Sequence, residues 1–126
     1  MAEQKPVAGS VVHVELLSKD PEATKKFFSQ VFGWKFDDVP RMDYAMFQAP
    51  AAPNGGLRKP QGSEMPGTMN FIMVENLDQS ISKITKAGGK IVMPKQEVAG
   101  WGWSAAFQAP GGVVQAVWQA TPPPKR

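Results

Sequence analysis

The only histidine of the chain, His13, stands two residues before Glu15 in the run Val11-Val12-His13-Val14-Glu15-Leu16-Leu17. Along an extended strand successive side chains point to opposite faces, so His13, Glu15 and Leu17 share one face while Val12, Val14 and Leu16 take the other. One face asks for a core, and the other carries an imidazole and a carboxylate close enough to cooperate. Such a pair could do general acid–base work, with His13 as the base and Glu15 supporting it. It could equally be a hydrogen-bonded polar pair lining a wet cavity or an interface.

Aromatic and thioether side chains supply the other candidates. Trp101 and Trp103 are flanked by Gly100 and Gly102, which leave the backbone free to bend. They could form an aromatic wall or a lid over a planar ligand, or they could fill core space or a dimer seam. Met69, Phe71 and Met73 share one parity of their strand, as Val114, Ala116 and Trp118 do of theirs. These faces either line an adaptable cavity suited to an apolar or aromatic small molecule or make up core. Gly55-Gly56 and Gly111-Gly112 precede no helix start, so they read as turn glycines rather than phosphate cradles. Lys25 and Lys26 read as the solvated face of a helix.

The elements that must position these groups follow from local signals. Asp20-Pro21 is an N-cap followed by proline at the first helical position; Ala23, Phe27, Phe28 and Val31 form the apolar stripe, and Gly33 stops the helix. Strands are expected from Trp34-Lys35-Phe36 and over residues 43–48, and a turn-rich connection over 49–54 leads to Gly55-Gly56-Leu57-Arg58. After a proline- and glycine-containing linker at about 59–67, the order recurs. It runs through a strand over 68–74, a capping box of Asn76 with Gln79, a stripe of Leu77, Ile81 and Ile84 closed by Gly88-Gly89, and a strand over 90–93. Phe47-Gln48-Ala49-Pro50 returns as Phe107-Gln108-Ala109-Pro110. Aligning Gly33 with Gly88 shifts the chain by about 55 positions and aligning the tetrapeptides by about 60, so the second copy carries roughly five extra residues before Trp103. The chain therefore reads as a single α+β domain of two tandem modules, about 10–60 and about 68–120, each strand, helix, strand, strand, strand.

Composition excludes several classes. With no cysteine there is no disulfide framework and no thiolate nucleophile or ligand. The net charge of +3 is dispersed and partly carried by the tail Pro122-Pro123-Pro124-Lys125-Arg126, with no basic face interleaved with aromatics, so no nucleic-acid partner is expected. No apolar run reaches membrane-spanning length, and the polar start Met1-Ala2-Glu3-Gln4-Lys5-Pro6 lacks a signal peptide's apolar region, so the expectation is a cytoplasmic protein without a membrane partner.

Taken together, His13 through Asp20, Phe28 with Val31-Phe32-Gly33-Trp34, Val74-Glu75-Asn76-Leu77-Asp78 and Ala109-Pro110-Gly111-Gly112 resemble the glyoxalase/bleomycin-resistance/extradiol-dioxygenase family, also called the vicinal oxygen chelate family. Ala109 stands where the family's Asp-Pro-x-Gly turn has aspartate. The resemblance spans Val11 to Gln119 and implies paired βαβββ modules whose strands form a curved mixed sheet around a central cavity. Metal-dependent members place four ligands there. Carried over residue by residue, His13 falls on the first position, Met69 (or Thr68 with a register slip) on its second-module equivalent, Ala116 on the last strand, and a residue at or near Gly56 on the fourth. Only His13 is a good donor for a divalent ion, so no cofactor is expected. The resemblance therefore implies a metal-independent small-molecule binding protein, a homodimer, with an apolar cavity containing His13 and Glu15. The alternatives are a lyase, isomerase or dioxygenase-like enzyme using His13 and Glu15, with nickel, zinc, iron or manganese recruited through His13, and a partner-binding module acting through the Trp101/Trp103 loop.

Overall fold

The computed structural model describes residues 7–121. The polar start, residues 1–6, and the charged proline tail, residues 122–126, lie outside the described residues. The chain forms two compact units, one of Val12–Asn70 and one that begins at Phe71 and includes the residues up to Val11.

The first module consists of β1 (Val11–Leu17), α1 (Pro21–Phe32), β2 (Lys35–Asp38), β3 (Ala45–Gln48) and β4 (Gly55–Arg58). Its strands lie in the order β2-β3-β4-β1, antiparallel except that β1 runs parallel to β4. The second consists of β5 (Gly67–Met73), α2 (Leu77–Lys86), β6 (Lys90–Val98), β7 (Gly102–Gln108) and β8 (Val114–Ala120), in the order β6-β7-β8-β5, again with the first and last strands parallel. The two orders are the same path drawn twice. The repeated Phe-Gln-Ala-Pro ends β3 in one module and β7 in the other, as descent from one unit requires. The extra residues of the second copy lengthen its hairpin: β6 has 9 residues and β7 has 7, against 4 each in β2 and β3, and the β6–β7 register slips between Ile91 and Met93 and again before Gln96.

Both helix starts are built as the sequence indicates. Asp20 accepts from the Ala23 amide at 3.1 Å with Pro21 behind it, and Asn76 accepts from the Gln79 amide at 3.0 Å. Gly33 ends α1 in the left-handed conformation, with φ at 73°. The helices differ in burial. Leu77 of α2 is fully buried with Ala105 and Val117, and Ile81, Ile84, Trp103 and Phe107 pack around them. By contrast, no residue of α1 is buried, and of the expected stripe Phe27 and Val31 stay more than half exposed. Phe28 anchors the helix, stacked at 4.8 Å on Trp34, which in turn stacks at 4.6 Å on Phe47. Lys25 is not simply solvated: its amine bridges Glu22 at 2.8 Å and Asp38 at 2.7 Å, tying α1 to β2.

The pair Gly55-Gly56, expected as a turn, lies inside β4 and is buried. Both glycines are there because backbone and ring come too close for a side chain. A β-carbon on Gly55 would overlap the Val14 carbonyl, and one on Gly56 would overlap the Tyr44 hydroxyl. Gly111 and Gly112, with φ of 91° and 93°, are turn residues as expected.

Candidate functional site

Parallel pairing of β1 with β4 sets Glu15 beside Gly56 and Leu17 beside Arg58, so His13, Glu15, Gly56 and Arg58 share a face. Val14, Leu16, Gly55 and Leu57 alternate with them and share the other face with Ala45 and Phe47, on which Trp34 stacks. The separation of ionisable from apolar residues read from β1 is therefore present. Within β1 the ionisable face is the better buried at its end, Glu15 and Leu17 each being 8% exposed while Val12, Val14 and Leu16 are half-buried, whereas Ala45, Phe47 and Leu57 bury the other face.

Tyr44, immediately before β3, joins His13 to Glu15. Its hydroxyl donates to Glu15 Oε2 at 2.8 Å and lies 2.8 Å from His13 Nε2. Since the single phenolic proton goes to the carboxylate, the hydroxyl oxygen is left to accept from His13 Nε2–H. His13 Nε2 is itself 3.7 Å from Glu15 Oε2. The other carboxylate oxygen, Oε1, accepts from Arg58 Nε at 2.7 Å. The remaining Arg58 nitrogens grip Glu64 as a fork, Nη1 to Oε1 at 2.7 Å and Nη2 to Oε2 at 2.8 Å.

This network sets the charge states. Burial pushes the Glu15 carboxyl up, but the imidazole, the Arg58 guanidinium and the Tyr44 hydroxyl together hold it below its ordinary value, so it is ionised at neutral pH. Burial, and then the negative charge of Glu15, push the Tyr44 phenol far above its usual range, so it stays a donor. The Arg58 fork, against a smaller opposing effect of burial, lowers Glu64. Among the described residues, no buried side-chain nitrogen or oxygen lacks a hydrogen-bond partner.

The register also fixes the four positions where metal-dependent members place ligands. Phe71 lies beside Ala116 as Glu15 lies beside Gly56, so Met69 holds in β5 the place of His13 in β1. The set is His13, Gly56, Met69 and Ala116. Glu15, the carboxylate next to His13, has both oxygens engaged by Arg58 and Tyr44, and among the described residues no three His, Cys, Asp or Glu side chains converge. These residues do not fit a divalent ion, which takes three or four protein donors.

The apolar candidates divide between two faces of the second module. Pairing places Phe71 beside Ala116, Met73 beside Trp118, and Trp118 beside Ser104. Met69, Phe71, Met73, Val114, Ala116 and Trp118 therefore share the face opposite α2. Met69, Phe71 and Ala116 are buried there, and Val114 is exposed. Trp103 alternates with Ser104 and packs into the cluster under α2, with Lys95 Nζ 5.8 Å from its ring centre, so it shares no wall with those residues. Trp101 lies in the β6–β7 turn, 57% exposed.

A groove of about 700 Å³ opens in the first module, walled by residues 19–22 and Lys25 at the start of α1, by Asp38 and residues 42–45, and by residues 57–59, so that most of its walls are charged and Tyr44, Arg58 and Met42 are among them. Sequence reasoning singled out neither Tyr44, Arg58 nor Glu64. The available signal was the arginine at the end of β4, two residues beyond Gly56, on the parity that alternation assigns to the His13 face.

The sequence model for bleomycin resistance protein-like N-terminal regions matches residues 10–50. A glyoxylase-like domain-containing protein of Didymella fabae is 31% identical over 90 residues, covering 65% of this chain and 70% of that one. The CFP32 protein of Mycobacterium bovis, provisionally named a glyoxylase, is 30% identical over 115 residues, covering 85% of this chain, which itself spans 44% of that relative's length. The methylmalonyl-CoA epimerase structure from Mycobacterium tuberculosis superposes with a TM-score of 0.68 at 13% identity, over 96% of this chain and 94% of that one. With its duplicated βαβββ modules, the chain belongs to the glyoxalase/bleomycin-resistance/dioxygenase superfamily.

Proposed function

We propose that this chain is a small-molecule binding member of the superfamily that works without a protein-held divalent ion, and that its ligand, a small apolar or aromatic molecule, is taken up at the groove walled by Tyr44 and Arg58. One observation carries the reading. The Tyr44 hydroxyl stands at hydrogen-bond distance from both His13 and Glu15 and covers Gly56, so a neutral phenol takes the space and the donors that metal-dependent relatives devote to an ion. His13 and Glu15 then act by fixing Tyr44 and Arg58. Met42 and the Tyr44 ring supply the groove's apolar surface, and charged side chains supply orientation.

A screen of aromatic and hydrophobic small molecules by intrinsic fluorescence and thermal shift tests this. Hits should bind wild-type protein equally well with and without chelator, and should weaken in Tyr44→Ala and His13→Ala. Hits that need added metal, or that bind Tyr44→Ala unchanged, would overturn it.

The hydrogen-bonded chain from His13 through Tyr44 to Glu15 also supports a second reading, an isomerase or lyase in which His13 is the base and Tyr44 and Glu15 orient its ring. The epimerase and glyoxylase names among its relatives favour proton-transfer chemistry of that kind. Exchange of a substrate's carbon-bound hydrogen with deuterated solvent, lost in His13→Ala, would support it.

A further inference from the structure

Arg58 is one guanidinium shared by two carboxylates, and the two are not equivalent. Glu15 is set in β1 with its second oxygen held by Tyr44. Glu64 reaches the fork from the segment between β4 and β5, which carries Pro60, Gly62 and Pro66 and runs into Gly67 at the start of β5. That segment is folded on itself near the fork: the Gln61 amide donates to Glu64 Oε1 at 2.8 Å, and the Glu64 amide donates to the Gln61 carbonyl at 3.0 Å. Glu64 therefore presents a carboxylate on a short turn, aligned with both Nη donors of an arginine that also walls the groove.

We propose that the Nη1/Nη2 fork of Arg58 is the anchor for a carboxylate-bearing small molecule, and that Glu64 occupies it as an internal stand-in that the ligand displaces. The proposal rests on the groove being the ligand site and names the chemistry of what enters it. A planar fork matches a carboxylate with two parallel hydrogen bonds, a match that a lysine ammonium cannot reproduce. Exchange of one carboxylate for another keeps the charge around Arg58 unchanged, and the Glu15 bond to Nε need not break. The apolar body of the ligand would lie along Tyr44 and Met42. Glu64 then sets affinity as well as occupancy, because a ligand that must compete with a tethered carboxylate binds more weakly in proportion to the fraction of time the fork is open.

The test is calorimetric titration with benzoate and with benzamide, its neutral counterpart, into wild-type protein, Glu64→Gln and Glu64→Gln/Arg58→Lys. Glu64→Gln keeps the Arg58–Glu15 pair, so it should fold, and it should bind benzoate about tenfold or more tightly than wild type. It should leave benzamide unchanged, and adding Arg58→Lys should cancel the gain. In wild-type protein, benzoate should speed amide hydrogen exchange over residues 60–65. An equal gain for benzamide, or benzoate binding that ignores Glu64→Gln, would overturn the carboxylate assignment and leave the groove reading standing. Failure of both probes to bind any variant would overturn both.

Discussion

The hydroxyl of Tyr44 occupies the space that any side chain at Gly56 would need. Gly56 is the β4 partner of Glu15, and Tyr44 is the hydrogen-bond donor to that same glutamate, so the smallest residue in the strand and the large ring over it make one fitted unit.

Adding one methyl group should therefore be felt through Tyr44. Gly56→Ala should cost about 1–3 kcal/mol as overpacking. In a Tyr44→Ala background the same change should cost far less. Urea denaturation of the four proteins gives the coupling, and simple additivity would contradict the fit.

Removing only the hydroxyl isolates its bonds. Tyr44→Phe deprives Glu15 Oε2 of a donor and His13 Nε2 of an acceptor, for an expected loss of about 1–3 kcal/mol. A loss within error would mean that water replaces the phenol freely.

Acid should weaken the first module in a stated direction. The folded pKa values of Glu15 and Glu64 lie below the ordinary value of 4.5. The stabilisation they contribute is thus complete above about 4.5 and is lost as pH falls through the lowered folded values. Glu15→Gln should be less stable than wild type at neutral pH and show a shallower decline below pH 4.5. Parallel curves for the two proteins would contradict the assignment.

The helices should respond unequally. Leu77→Ala, at a fully buried site, should cost about 2–5 kcal/mol. Phe27→Ala, at a side chain 54% exposed, should cost well under half as much, as a surface change does. Comparable losses on thermal melting would show that α1 packs more tightly than its exposure indicates.

Much of this was legible in the sequence because the signals are local. Alternation in β1 put His13 and Glu15 on one face, the caps at Asp20 and Asn76 marked both helix starts, and the repeated tetrapeptide marked equivalent strand ends. The partners that give the site its character are distant: Tyr44 is 29 residues from Glu15, and Arg58 is 43. Only the pairing of strands far apart in the chain brings them together, and no spacing rule anticipates it. Gly55-Gly56 misled because glycine disfavours strands on average, whereas close approach by the Val14 carbonyl and the Tyr44 ring requires it in β4. The α1 stripe misled because periodicity shows which side chains share a face, not whether anything covers them. Trp103 followed the parity of its strand into the cluster under α2, and two tryptophans two apart in sequence carry no label for which face that is.

The most direct test of the central claim is the divalent metal content of the protein purified without chelator from metal-supplemented medium, followed by titration of nickel and zinc into the product. The expected result is far less than one ion per chain and a melting temperature unchanged by either metal or by chelator. One tightly held ion per chain, whose removal lowers the melting temperature and whose loss accompanies His13→Ala, would contradict it.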